Sequence, residues 1–228
     1  MGGKSSTIST SEQRILSMQI QQSSYGLALP IVFGQNRIAG NLIDYTDFTA
    51  IATTTRTTQG GKGGGGVTQE DTKYTYEAAV IMGLCHGPIA GIPSWWRDKE
   101  RRYGLRELGL TLMTGQHEQQ PWAWMQGKHP ERALGYSDTA YVCSPNYSLG
   151  SNAQVPNHMF EVAGLLQIGT AGVVDADPGQ ILPQLLTHAS YGAGFPAARL
   201  WDTATYGAYC RAAGIVLSPV LQEQQEAR

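Results

Sequence analysis

The chain has 228 residues and a formal net charge of −2, with charged residues at only 15%, below the quarter typical of a soluble domain. That length can bury one sizeable core or two modest ones, and the absence of a basic excess disfavours nucleic acid as a principal ligand. Cys85, Cys143 and Cys210 are widely spaced with no CxxC pair, which argues against a disulfide framework or a zinc site and points to a reducing compartment. No apolar run reaches the ~18 residues of a membrane-spanning helix, and the polar start does not read as a signal peptide.

Residues 1–9 are small and polar. Thr10 in the N-cap position, Gln13 in the capping-box position and the apolar Ile15, Leu16, Met18 and Ile20 then predict a short helix ending before Gly26. From there the pattern turns to β. Residues 27–33 read as a strand, Gly34, Gln35 and Asn36 as a turn, and residues 37–45 as a second strand in which Ile38 and Leu42 alternate with polar positions.

The next two runs, 46–58 and 73–85, predict a long β-hairpin. The first has Thr at seven of its thirteen positions, with Phe48, Ala50 and Ala52 on one face and Ile51 on the other. In the second, Tyr74, Tyr76, Ala78, Val80, Met82 and Leu84 share a face. Between them lies GGKGGGG, residues 60–66, which offers almost no side chain to pack and so cannot offset its own ordering entropy. Its Lys62 is followed by Gly63 where a phosphate-binding loop needs Ser or Thr, so the tip is either a contact loop or a tolerated insertion.

After Cys85 a run of turn residues, 86–93, leads into Trp95 and Trp96. Residues 108–113 read as a short strand. Residues 114–137 read as a polar excursion over a neighbouring surface, with Trp122 and Trp124 on one face of an extended segment; residues 139–143 and 158–163 resume strand character. Asp177, Pro178 and Gln180 announce a helix carrying Ile181, Leu182, Leu185 and Leu186, with Pro183 predicting a late start or a kink. A second helix runs from Thr203 to Ala213, capped by Asp202 and closed by Gly214, with Tyr206, Tyr209, Cys210 and Ala213 as its apolar face. The last residues look like the start of a helix with no apolar face, as if the chain stopped partway through a second domain.

Few residues suggest chemistry. The five histidines lack HExxH or HxH spacing, and Asp175 and Asp177 are explained as well by helix capping as by an acid pair. Gly2 to Ser6 fits both the end of a P-loop and an N-myristoylation pattern, but chance explains such short matches better. No cofactor or metal is expected. Trp95, Trp96, Trp122 and Trp124, with Gly60, Gly61, Lys62, Gly63 and Gly64, are the candidate interface residues, although core packing explains the tryptophans equally well.

Taken in order, several phrases resemble the N-terminal region of siphophage tail-tip proteins, the baseplate hub or tip-attachment family that includes the lambda host-specificity protein. They are SSYGLALPIVFGQNRIAGNLIDYTDF at 23–48, YTYEAAVIMGLCHGPIAGIPSWWRDKE at 74–100, DTAYVCSPNYSLGSNAQVPNHMFEV at 138–162, DADPGQILPQLLTHASYGAGFP at 175–196 and YCRAAGIVLSPVLQEQQ at 209–225. The resemblance implies an α+β, mainly β fold. Residues 1–26 would be an N-terminal arm with the short helix, 27–165 a tube-like antiparallel β-barrel or sandwich with the excursion at about 114–137, and 173–228 the start of a smaller α/β hub domain. It further implies a structural, non-enzymatic virion protein: a homotrimer closing the distal end of the tail tube, assembled in the bacterial cytoplasm. Its expected partners are the distal tail protein, the tail tube protein, the tape-measure protein and other baseplate and fibre proteins. A tail-borne cell-wall hydrolase, which would draw on Asp175, Asp177 and Glu161, and a receptor-binding module are the alternatives.

Overall fold

The computed structural model describes residues 6–18, 28–60, 66–97, 99–165 and 174–222. In chain order the strands are β1 (Ser6–Ser11), β2 (Ile31–Val32), β3 (Gln35–Ala39), β4 (Asn41–Gly60), β5 (Gly66–His86), β6 (Gly91–Arg97), β7 (Glu100–Tyr103) and β8 (Thr111–Met113). A short helix α1 (Ala123–Lys128) precedes β9 (Thr139–Gly150) and β10 (His158–Ala163), and α2 (Pro178–Thr187), α3 (Ala204–Ala212) and β11 (Val220–Leu221) follow. The class is α+β and mainly β, as expected. The strands form one sheet in the order β1-β5-β9-β8 with β4 also on β5, a second in the order β3-β10-β6-β7, and the pair β11-β2; they do not close into a barrel.

Strand β5 organises the molecule. Tyr76, Ala78, Val80, Met82 and Leu84 point into the main core with Ile38, Trp95, Val142 and Phe160, while Ile81 on the other face packs with Tyr141, Cys143, Trp122 and Met125. Strands buried on both faces favour the β-branched and aromatic residues found here. Burying each large apolar side chain contributes about 1.5–3 kcal/mol, which makes this the best-anchored stretch of the chain. The expected face from Tyr74 to Leu84 is therefore the core face, and Phe48 of β4 stacks on Tyr76 at 5.5 Å. Beneath the opposite face, the polar excursion covers this chain's own sheet. Burial raises the thiols of Cys85 and Cys143 to about 12, so neither ionises near neutral pH.

Several sequence expectations need correction. Thr10 does not cap a helix: it lies in β1, parallel to β5, with Ser6 opposite Val67 and Ser11 opposite Thr72. Residues 12–18 are not helical, and the remainder of that predicted helix lies outside the described residues. A capping box satisfies only two backbone groups locally, whereas pairing with β5 engages a run of six residues. The strand expected at 27–33 contracts to β2, and the one at 37–45 divides at Gly40 into β3 and the start of β4. The strand expected at 108–113 shortens to β8, behind a 3-10 turn over Leu105–Leu108. Helix α2 starts at Pro178, where Asp177 accepts from Gly179 N at 2.8 Å, so Pro183 does not delay it.

The segment after residue 174 returns to the β-core through a tight turn. Gly34 has φ +64°, and its N–H donates to Leu165 O at 2.8 Å. A Cβ here would collide with Ser218 Oγ and sit 2.9 Å from Ala176 N. Phe33 N donates to Pro219 O at 3.1 Å, Asn36 Nδ2 to Ser218 O at 2.7 Å, and β11 pairs with β2. Gly34→Ala is expected to lower unfolding stability by about 2 kcal/mol or more, through left-handed strain plus steric clash. Gly194→Ala, at φ +66° with no neighbour in reach, carries the strain alone and should cost about half as much. Chemical denaturation of the two variants checks the difference, and equal losses would refute the close approach.

Candidate assembly surface

Beyond the pair Ala52–Tyr74 the hairpin leaves the core and continues as an arm of three strands, β4, β5 and β1. Residues 51–59 of β4 are exposed throughout. Register places Thr58, Thr68 and Thr7 in one row, Arg56, Glu70 and Ser9 in the next, and Thr54, Thr72 and Ser11 in a third. Thr54 and Thr72 share a hydroxyl hydrogen bond at 2.9 Å, and Arg56 Nε lies 2.7 Å from Glu70 Oε1. Such cross-strand pairs contribute only about 0.2–1 kcal/mol each. The opposite face carries Ile8, Ile51 and Val67, all exposed. Among the described residues β4 pairs only with β5, so its outer edge along the arm presents backbone groups to a partner strand. Gly60 closes β4 opposite Gly66; Gly61, Lys62, Gly63 and Gly64 lie outside the described residues.

At the root of the arm β4 carries a bulge between Thr46 and Thr49, with Asp47 at φ 53°. The excursion grips it: His129 Nε2 lies 3.0 Å from Asp47 Oδ1, and Arg132 Nη2 donates to Asp44 and to Tyr45 O. The His129 hydrogen bond holds the Asp47 carboxyl below its usual range. Trp122 and Trp124 are not on an extended segment. They flank the start of α1 and stack at 4.8 Å, with Trp122 buried and Trp124 half-buried against His129. Trp122 precedes the helix with ψ 120°, and this break at the N-cap brings its ring onto that of Trp124; inside a continuous helix two residues so spaced would not face each other.

Trp95 and Trp96 point to opposite faces of β6. Trp95 is only 1% exposed and donates its indole N–H to Gly104 O at 3.2 Å. Trp96 lies on the outer face with the guanidinium of Arg37 5.0 Å from its ring and that of Arg101 at 5.3 Å; Arg101 also lies 5.3 Å from the ring of Tyr103, which is 69% exposed. Of the four candidate tryptophans, Trp95 and Trp122 are therefore core residues, while Trp96 and Trp124 are half-buried and reach the surface.

The acids of the hydrolase alternative are separately engaged. Asp175 Oδ1 accepts from Ser218 Oγ at 2.5 Å, and Asp177 Oδ2 accepts from Arg211 Nη1 at 2.5 Å. Glu161 Oε2 accepts from Ser94 Oγ at 2.5 Å and from Arg101 Nη2 at 2.6 Å. Among the described residues no group of three His, Cys, Asp or Glu is placed to hold a metal ion.

A further surface escaped the sequence reading. Of the apolar face expected on α3 only Cys210 is buried, beside Gly207, while Tyr206, Ala213 and Tyr209, the last 65% exposed, are not. Gly179 of α2 meets Gly207 so closely that a Cβ on it would lie 2.6 Å from the Gly207 Cα. The two glycines, one on each predicted helix, were the signal that could have set this rotation. Trp201 and Leu217 extend the exposed patch.

No protein-family model and no curated protein matches the chain. A solved structure that it resembles is titled "Virion of native gene transfer agent (GTA) particle", at 21% identity and a TM-score of 0.47. The match covers 89% of this chain and 45% of that one, so this chain spans less than half of its neighbour's length. A likeness this shallow carries no argument about function.

The Glu161 network yields a pH-dependent expectation. Burial pushes its carboxyl up, but hydrogen bonds from Ser94, Gln35 and Arg101 outweigh that and hold it below the ordinary 4.5. A carboxyl depressed on folding stabilises the native state above its unfolded pKa, and that contribution fades as pH falls below 4.5 through the folded value. Glu161→Gln should lower stability at pH 7 by about 1 kcal/mol and flatten this acid-side loss. Denaturation midpoints from neutral pH down to about pH 3 check it, and an unchanged acid slope would refute the assignment.

Proposed function

We propose that this chain is a structural protein of a virion, and more narrowly a subunit of the trimeric hub that closes the distal end of a phage tail tube. The observation that carries this reading is the arm built by β1, β4 and β5. It has no core of its own, exposes hydroxyl rows on one face and Ile8, Ile51 and Val67 on the other, and leaves the edge of β4 open. A protein acting alone gains nothing from such an arm. One that assembles around a ring gains partner contacts along its whole length.

The succession of phrases similar to the tail-tip family supports the same reading, as do the weak net charge and the separate engagement of the candidate acids. In this proposal residues 27–165 form the tube-like unit and 173–228 begin the next hub unit. Gly60, Gly61, Lys62, Gly63 and Gly64 lie at a subunit boundary or at the lumen. Trp96 and Trp124 contribute contact surface, and Trp95 and Trp122 support it from beneath. The partners are two further copies, the distal tail protein, the tail tube protein, the tape-measure protein and the baseplate and fibre proteins. The role is assembly and host attachment without catalysis, and the location is the tail tip.

Electron cryo-microscopy of intact tails should find three copies on the tail axis at the distal end of the tube; six copies, or an off-axis position, would refute the hub. Deletion of residues 60–66 is expected to abolish infectious particles while leaving the isolated chain as stable as before. Normal particle titres from that deletion would remove the tip from the interface.

A further inference from the structure

Three of the chain's five histidines gather where the segment after residue 174 meets the end of β5. His188, which caps α2, stacks on Tyr191 at 3.8 Å with the rings 10° from parallel. His86, the last residue of β5, meets both edge to face, with ring centroids 5.7 Å from His188 and 4.8 Å from Tyr191. His117 stands one step further out, with Nδ1 2.9 Å from Asp138 Oδ2.

The hydrogen bonds fix which nitrogen carries a proton. His86 Nδ1 lies 2.8 Å from Gly87 O, and a carbonyl only accepts, so this nitrogen is protonated even in the neutral ring. His188 is the reverse case: the Ser190 N–H donates to its Nδ1 at 3.2 Å, so that nitrogen must be bare. Protonating His188 removes this acceptor, turns the Ser190 N–H against another N–H, and places a cation beside His86.

We propose that His86, His188 and Tyr191 form a proton-operated latch: with His188 neutral, the turn after α2 stays folded back on the helix and packed against the end of β5, and protonation of His188 lets that turn open. The turn that would open is held by Gly192 N to His188 O at 2.9 Å, Ala193 N to Leu185 O at 2.9 Å and Phe195 N to Leu186 O at 2.8 Å. The other attachments of the segment, Ile181 and Leu185 packed with Ile31, Phe33 and Leu165, and β11 on β2 with Ser218 under Gln35 and Asn36, contain no histidine and stay in place. The latch therefore opens the turn and leaves the rest of the segment attached.

The groups around His188 act in both directions. Burial and the neighbouring His86 disfavour its charged form, while Asp138, already engaged by His117, favours it, and the balance lowers its pKa from 6.5. A cation over the Tyr191 ring recovers about 0.5–1 kcal/mol at an exposed site, no more than the lost Ser190 hydrogen bond is worth. Since the docked state depresses the pKa, docking is fully favoured above 6.5 and weakens as pH falls below it. The inference does not rest on the hub assignment.

Hydrogen exchange on the whole chain, corrected for the intrinsic effect of pH, tests it. Between about pH 7.5 and 5.5 the protection of the Gly192, Ala193 and Phe195 amides should fall about threefold or more, while Phe33 and the β5 and β9 amides hold. His188→Asn offers an oxygen acceptor to Ser190 and cannot titrate, so its protection should not change over this range. A flat wild-type profile, a uniform loss across all amides, or an unchanged pH dependence in His188→Asn would each overturn the latch. Should that variant not fold, the NMR titration of His188 in the native chain decides. Its midpoint must lie below 6.5 with the Ser190 amide shift following it, and a midpoint at or above 6.5 overturns the proposal.

Discussion

Everything in this molecule is referred to β5, because that strand is buried on both faces over one half of its length and only half-buried or exposed over the other. From Tyr76 to His86 it is the shared wall of two apolar clusters, with the main core on one side and the packing under Trp122 and Met125 on the other. From Gly66 to Lys73, among the described residues, it pairs only with β4 and β1. A strand cannot change direction sharply without breaking its ladder, so the buried half aims the exposed half outward as a stiff extension. The core thus supplies the rigidity, and the arm inherits it without a core of its own.

The residues after 114 and after 174 both work by returning to this strand. The first folds over the outer face of the sheet and ends with His129 and Arg132 on the β4 bulge, where they set the angle at which the arm departs. The second reaches back to β2 and the turn at Gly34, and meets the end of β5 where His188 and Tyr191 pack on the His86 ring. Backbone pairing and a close glycine contact tie one end firmly. Ring contacts on His86 hold the other, beside a turn that itself depends on one acceptor nitrogen, which makes it the end that a single proton can loosen.

Local pattern carried much of the fold. The long hairpin, its core face from Tyr76 to Leu84, the Asp177 cap and the two C-terminal helices were all legible, because each depends on residues a few positions apart. The Thr10 helix was misread because its competitor lay sixty residues away: β1 finds its ladder on β5, and no local signal encodes that pairing. The rotation of α3 was missed for a related reason. Cys210 faces inward as its spacing expects, but Tyr206 and Tyr209 stay exposed because α3 turns Gly207 towards Gly179, a condition set by the partner helix and not by the apolar spacing of α3 itself.

The candidate surface divides in the same way. Sequence by itself determined which side chains were available: the threonine-rich run, the glycine-rich stretch from 60 to 66, four candidates among the five tryptophans and a chain with little charge. It also marked Trp95 and Trp96 as candidate contacts, with core packing an equal explanation. Only the tertiary structure decided which of them is covered, burying Trp95 under Gly104 and leaving Trp96 between two arginines. It alone brought His86 and His188, a hundred residues apart, within 5.7 Å. Composition and spacing fix what a residue can do, but exposure and partnership depend on segments distant in the chain meeting in space, and that meeting is settled by packing.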